Sequence, residues 1–540
     1  MNEVCVIIPA TKKNVAFPDD LVKKLNGASL IQRAIDKAKG ISSNKNIYVI
    51  TDSEEISLIC ERNEVNHVYK NNLRLRSLDI LKDLRFFLIR ISKKYENTIL
   101  LWPYAPLIRE NEILMAYEKF LNEKCDILTS IKEESHRFYR GNNPVLGNLI
   151  IETEKEKLFA EIKAFSIIKL DLIKNNGNRI KVHPFVLNDN EAIEINSYQD
   201  WWVCEKLLKR KRIIFNVIGS DKIGMGHIYR SLTLAHEITD HEIIFVCNEQ
   251  SRIAVDKIAG YDYLIKAFNP HVMEDQILSL KPDLVINDTL DTTKKYIMRL
   301  KENNIKVVNF EDLGPGARYT DVTINEVFDE PKFNSKNTKW GNKYFFLRDE
   351  FNDARPHKLA KKVENLLITF GGTDQNNYTQ KTLTTIVNFC KKENIKIYIV
   401  NGDGYLYKEQ LSRYLKELGY KNLEFTFATG VISKIMEKTQ IAITSNGRTT
   451  YELAHMNIPS IVISHHEREN THRFAVEERG FINLGCYKKG ATENLLLRAL
   501  KKVVYDNNYR KRLFDNIKIY NFSKNKKKVV KLILNLLEAE

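Results

Sequence analysis

Short apolar runs rich in β-branched residues alternate along this chain with amphipathic helical patterns, and the alternation restarts twice. Uninterrupted apolar runs suit strands buried on both faces, and the helical patterns between them supply the crossovers that parallel strands need. In the first series the predicted strands are Val4 to Ile8, Asn46 to Ile50, Thr98 to Trp102 and Asp126 to Thr129. A helix is predicted from Leu30 to Lys39, where Ile31, Ala34, Ile35 and Ala38 share one face. The second series starts after the basic segment Lys209-Arg210-Lys211-Arg212, at Ile214 to Ile218, and continues with Glu242 to Val246, Leu284 to Ile286 and Ile305 to Asn309. The third runs through Asn365 to Phe370, Ile395 to Val400, Ile441 to Thr444 and Ser460 to Ile463. At 540 residues the chain exceeds what one core sustains. Three α/β domains are expected, at 1–212, 213–350 and 351–540, the last two forming lobes on either side of a cleft. The polar link near Arg348 to Leu359, with Pro356, is predicted as their hinge.

Hydrophobic residues make up 43% and charged residues 28%, values of globular material. Lys and Arg number 84 against 69 Asp and Glu, a net +15 compatible with anionic ligands. The lysines are scattered, and the one dense run, Lys524 to Lys528, reads as a solvated helix face, so no nucleic-acid partner is expected. Seven dispersed cysteines, none at C-x-x-C spacing, argue against a disulfide framework or a zinc site and for a reducing compartment. The chain enters its first strand without a signal-like segment, and no run approaches the roughly 18 apolar residues of a membrane span. The expected location is cytoplasmic.

Between the first strand and first helix of the second series lies Gly219-Ser220-Asp221-Lys222-Ile223-Gly224-Met225-Gly226-His227-Ile228-Tyr229-Arg230. Gly224 and Gly226 allow a sharp turn and close approach of an anion to amides at a helix start. His227 there suits proton abstraction from water or a hydroxyl. By residue type alone it reads equally well as a hydrogen-bonded capping histidine, with Arg230 on the surface.

The stretch Ile223-Gly224-Met225-Gly226-His227-Ile228, with Arg230, Leu232, Leu234 and Ala235, resembles the opening motif of the PseG family of UDP-sugar hydrolases and of the related SpsG-type proteins. Tyr344 to Phe351 resembles the family's pre-hinge segment, Gly371-Gly372-Thr373-Asp374 its G-G-x-D turn, and Ser445 to Glu452 its nucleotide-side helix start. The resemblance implies a two-lobed glycosyltransferase-B-like module of the MurG kind. It makes His227 the base that activates water. Gly224, Gly226, Arg230, Gly371, Gly372, Thr373, Asn446, Gly447, Thr449 and Glu452 become nucleotide- or substrate-binding residues, with Glu452 on the ribose. Where the family carries a D-H-Y-type segment, this chain reads Asn287-Asp288-Thr289 without a tyrosine, which leaves an acceptor hydroxyl open beside water as the nucleophile. The stretch Ser464 to His472, rich in His and Glu, follows a strand as a substrate-facing loop would, so Asn470 and its neighbours are assigned to substrate and no metal is expected.

In the first 212 residues, Val6 to Ala10, Lys23-x-Leu25-x-Gly27, Ile50-Thr51-Asp52-Ser53, Pro103-x-Ala105-Pro106 and Ile193-Glu194-Ile195-Asn196 resemble the CMP-sialic acid synthetases, nucleotidyltransferases with a Rossmann-type sheet. Their basic triphosphate loop is replaced by Thr11 to Leu21, which keeps Lys12 and Lys13 but adds Asp19 and Asp20. Their magnesium-binding D-x-D reads Glu194-x-Asn196. Lys12, Lys13 and Lys23 are the candidate nucleotide contacts. Mg2+ is expected only if this domain is active, and a disabled or repurposed site is preferred. The C-terminal module is expected to need no cofactor, and a homodimer through the N-terminal domain is the one assembly anticipated. The combined expectation is a hydrolase of a UDP-sugar in surface-polysaccharide or nonulosonic acid biosynthesis. The alternatives are a glycosyltransferase using a UDP- or CMP-activated sugar and a non-catalytic sugar-nucleotide-binding scaffold.

Overall fold

The computed structural model describes residues 4–11, 19–71, 80–134, 157–173, 180–219 and 225–538, together with the short strands Tyr139–Arg140 and Asn143–Pro144. The chain forms two compact units, Met1–Arg210 and Lys211–Glu540.

The first unit is built on a seven-stranded sheet in the order Val182–Val186, Ile127–Glu134, Leu158–Lys169, Asn97–Leu101, Cys5–Ala10, Ile47–Thr51, Asn66–Tyr69. Only Leu158–Lys169 runs antiparallel to its neighbours, and its register against Ile127–Glu134 shifts between Glu161 and Ser166. Its alternating, half-exposed residues have no uninterrupted apolar run, so the sequence pattern passed over it. Helix Leu30–Ile41 starts at Ser29, whose side chain accepts the Gln32 N–H, and buries Leu30, Ile31, Ala34, Ile35 and Ala38 against this sheet.

The second unit holds two all-parallel sheets. In the first lobe the order is Ile265–Phe268, Glu242–Asn248, Arg212–Val217, Leu284–Asp288, Lys306–Phe310, Val322–Asn325, Thr338–Trp340. The second lobe runs Leu423–Phe427, Lys396–Asn401, Asn365–Thr369, Ile441–Thr444, Ser460–Ser464, Phe481–Cys486. Each sheet grows to one side of its first strand and then to the other. A crevice therefore opens beyond the C-terminal ends of Arg212–Val217 and Leu284–Asp288, and a second beyond Asn365–Thr369 and Ile441–Thr444, where such sheets bind ligands.

Two expectations about the lobes are corrected. The C-terminal helix Asn525–Glu538 does not belong to the second lobe: Val529 and Ile533 pack into the first-lobe core beside Leu232 and Phe310. Nor is the lysine run only a solvated face, because Lys526 is buried between Glu237 and Asp349. The segment expected as the hinge is anchored near both ends. Phe351 is buried with Leu367 and Tyr451, and His357 N–H bonds the Met456 carbonyl. Among the described residues no helix is long and apolar enough to cross a membrane. All seven cysteines are free thiols.

Candidate functional site

The two crevices of the second unit meet in one cavity of roughly 390 Å³, a volume suited to a small-molecule ligand. Its walls are the residues just past the strand ends: Met225, Gly226, His227, Leu290 and Glu311 from the first lobe, and Gly371 to Thr373, Asn401, Gly402, Ser445 and Gly447 to Thr449 from the second. Gly371 has φ +80°, a conformation that side chains disfavour. A Cβ on Gly372 would lie 2.9 Å from Met225 across the cleft, and one on Gly402 would lie 2.7 Å from the Gly372 Cα, so only glycines let these three segments approach. The Gly447-Arg448-Thr449 turn opens the short helix Thr449–His455, and all three of its residues line the cavity.

His227 stands in the first turn of helix Gly226–Glu237, buried except toward the cavity. Its Nδ1 lies 2.5 Å from Oδ1 of Asp288, the last residue of its strand. Two acceptors at that separation would repel, so the proton sits on Nδ1 and Nε2 is left as the acceptor. Arg230 Nη2 also lies 3.0 Å from Nδ1, but with the proton placed there this is a contact between donors. Asp288 further accepts from Arg230 Nε at 2.8 Å and from Ser231 Oγ at 3.2 Å. Burial by itself would push its carboxyl upward, yet Arg230, aided by His227, holds it well below the usual carboxylate range.

Arg230 is the hub of this network. It donates to Glu311 Oε1 at 2.5 Å and Glu326 Oε1 at 2.9 Å, and its guanidinium lies 4.9 Å from the Phe310 ring centroid. Arg448 also pairs with Glu326, donates to the Phe346 carbonyl at 3.0 Å and stacks over Phe345. Burial, then the neighbouring Arg230, pulls Arg448 down to about 10. Three carboxylates thus face two guanidinium groups, which leaves this buried network one negative charge in excess.

Several expected contacts fall elsewhere. Gly224, Lys12 and Lys13 lie outside the described residues. Arg230 is 1% exposed and stands behind His227, where its charge is spent on carboxylates and not on ligand. Asn446 is buried behind the wall, its amide donating to the carbonyls of Glu469 and His472, which fixes the histidine-rich loop. Asn470 turns away from the cavity toward Glu467. Lys23 in the first unit lies 5.6 Å from the Tyr198 ring centroid. Gly226, Gly371, Gly372, Thr373, Gly447, Thr449, Glu452 and His227 are brought together at the cavity. Glu452 is already engaged, accepting from Arg348 Nε at 2.9 Å while Arg348 Nη1 reaches Glu350 at 2.8 Å. Asp374 of the glycine turn takes no part in the wall: it accepts the Tyr378 and Thr379 amides at 2.8 Å each and starts helix Tyr378–Lys392.

In the histidine-rich loop His465 stacks on Tyr378 with ring centroids 4.9 Å apart, and burial pulls it down to about 4. His472 Nδ1 bonds the Asn446 carbonyl oxygen at 2.8 Å. Glu469 accepts the His465 N–H, and burial pushes its carboxyl up to about 7. Arg468 forms a bidentate pair with Asp291 of the first lobe, at 2.8 and 2.9 Å, and also donates to the Glu311 carbonyl at 2.8 Å. Sequence reasoning did not assign Asp288, Glu311 or Arg348 to the site. The available signal was a carboxylate at a strand's C-terminal end, Asp288, in the segment noted only for its missing tyrosine.

No family model matches the chain. A Methanocaldococcus jannaschii protein, MJ1062, is 29% identical over 273 residues, 46% of this chain and 54% of the relative, so the chain spans about half of that relative's length. The spore coat polysaccharide biosynthesis protein SpsG of Bacillus subtilis is 24% identical over 293 residues, 52% of this chain and 85% of SpsG. A Helicobacter pylori protein named pseudaminic acid cytidylyltransferase and UDP-2,4-diacetamido-2,4,6-trideoxy-beta-L-altropyranose hydrolase is 21% identical over 409 residues, 73% of this chain and 66% of that protein. That match is longer than the second unit and so extends into the first. The chain is a homologue of SpsG and of the Helicobacter pylori protein, its match to the latter reaching from the second unit into part of the first.

Proposed function

We propose that the second unit hydrolyses a nucleoside-diphosphate sugar, a UDP-sugar in the first instance, for surface-polysaccharide or nonulosonic acid biosynthesis. The observation that carries this reading is the Asp288–His227 pair set into the wall of a cavity whose opposite side is glycine turns and a helix start. The diphosphate is assigned to the amides around Gly371, Gly372 and Gly447 to Thr449, and Glu452 to the ribose. His227 Nε2 takes a proton from water as the water attacks carbon 1 of the sugar, and the nucleoside diphosphate leaves with its charge held by oriented amides. The imidazolium formed is balanced by the excess carboxylate charge of Asp288, Glu311 and Glu326. The name carried by the Helicobacter pylori relative supports this substrate class, and that of SpsG supports the polysaccharide setting.

The test is incubation of the full chain with UDP-, GDP- and CMP-sugars, with and without acceptor alcohols. Free sugar released without acceptor supports hydrolysis. Turnover only with acceptor makes the chain a glycosyltransferase, and tight binding without turnover makes it a scaffold.

Glu469 brings a pH dependence. A Cβ on Gly447 would lie 3.2 Å from Glu469 Oε1, so this carboxyl borders the turn assigned to the diphosphate. It is protonated below about 7 and anionic above. Nucleoside diphosphate affinity is expected to fall roughly tenfold, about 1.4 kcal/mol, between pH 6 and pH 8 as repulsion sets in. Glu469→Gln should flatten that profile in calorimetric titrations. Because burial raises this carboxyl above its ordinary 4.5, its contribution to folding is full below pH 4.5 and lost as pH rises through about 7.

For the first unit the proposal is a site without cytidylyl-transfer chemistry. The magnesium expected from the resemblance finds a poor ligand set. Glu194 is occupied on both oxygens, by the Lys163 N–H at 3.1 Å and the Lys163 ammonium at 3.3 Å, and Asn196 supplies no anionic oxygen. CTP-dependent pyrophosphate release with any nonulosonic acid would overturn this.

A further inference from the structure

Glu311 lies outside every motif of the resemblance, and its part in the proposed proton transfer is confined to the charge it adds beside His227. It follows the strand Lys306–Phe310 and adopts φ +50°, a left-handed conformation that costs energy for a residue with a Cβ. The surroundings hold it there. Its N–H bonds the Ile324 carbonyl at 3.0 Å, and its own carbonyl accepts from Arg468, which reaches across from the second lobe. The side chain is thereby turned into the cavity wall. Arg230 occupies Oε1, no described residue hydrogen-bonds Oε2, and the side chain, 15% exposed, lines the cavity. Burial opposes ionisation, but Arg230, followed by His227, keeps the carboxyl charged, down to about 2.

A permanently ionised oxygen facing a ligand can only accept hydrogen bonds, and it repels phosphate. The amides assigned to phosphate lie on the second lobe, whereas Glu311 belongs to the lobe that carries His227 and pairs with the same Arg230 that holds Asp288 behind His227. The part of the ligand nearest Glu311 is therefore the sugar. We infer that Glu311 is a sugar-specificity residue, whose Oε2 accepts a hydrogen bond from an amide N–H or hydroxyl substituent of the bound sugar. This rests on the nucleotide-sugar reading of the cavity. A site built to receive such a donor discriminates strongly against a ligand lacking it, because the carboxylate is then left desolvated and unmet.

The test compares Glu311→Gln and Glu311→Ala with the unaltered chain by calorimetric titration, using UDP, UDP-N-acetylglucosamine and UDP-glucose. Thermal melts verify folding, and the glutamine variant keeps shape and one acceptor if the alanine variant fails to fold. UDP affinity is expected to stay within about threefold. At least one UDP-sugar should lose tenfold or more in affinity in both variants, with the glutamine loss the smaller. Equal losses for UDP and UDP-sugar would mean that Glu311 merely braces the wall, and unchanged UDP-sugar affinity would overturn the contact outright. If the unaltered chain binds neither UDP nor a UDP-sugar, the nucleotide-sugar reading itself falls and the inference with it. If it binds both and the variants match it, the inference alone is wrong.

Discussion

Replacing His227 with alanine is expected to lower turnover of the nucleotide sugar by about 10²- to 10⁴-fold, the range for removing a positioned general base, while UDP affinity changes by no more than a few-fold. Asp288→Asn should act at the same step. Asparagine can present its N–H to Nδ1, which would place the imidazole proton on Nε2 and remove the acceptor aimed at water. Its loss should appear in kcat and leave KM nearly unchanged, because Asp288 lies behind the imidazole and outside the cavity wall. Equal losses in nucleotide binding and in turnover would instead mark the pair as scaffolding. Steady-state kinetics with a parallel UDP titration separate the two.

Arg230→Met should be the most destabilising single change in the second unit. It strands Asp288 and Glu311 without an ion-pairing guanidinium and leaves Glu326 to Arg448, and removing one partner of a buried ion network costs about 3–5 kcal/mol. The expected drop in melting temperature is on the order of 10 °C. Arg230→Lys should recover little, since an ammonium cannot span the fork of contacts that Nε, Nη1 and Nη2 make. The penalty should depend on pH with a fixed sign. Asp288 and Glu311 have depressed folded-state pKa values, so the stability they draw from Arg230 is complete above about pH 4.5 and is lost as pH falls toward 2. Chemical denaturation at pH 7 and pH 3 should show the gap between the variant and the unaltered chain narrowing at the lower pH.

The fold was legible where strands are apolar on both faces, because runs such as Leu366 to Thr369 and Ile441 to Thr444 fit no other environment. It was illegible at Leu158–Lys169, whose half-exposed pattern carries no such run, and at Asn525–Glu538, where a helix is readable but its docking on the opposite lobe is not. The site divides in the same way. Glycine turns announce themselves locally, since Gly371 needs its positive φ and Gly372 its missing Cβ. Charge convergence does not. Arg230 meets carboxylates 58, 81 and 96 residues away, so a residue read as a surface or ligand contact is a fully buried charge behind the cleft. Asn446 and Asp374 were legible as polar residues in the right motifs, yet their groups are consumed in holding a loop and starting a helix.

The most direct measurement is hydrolysis of a UDP-sugar by the full chain in water enriched in oxygen-18, with mass analysis of both products. Attack on carbon 1 by water activated at His227 predicts the label in the released sugar and none in UDP. Label in the nucleotide phosphate, or no sugar released until an acceptor alcohol is supplied, would contradict it.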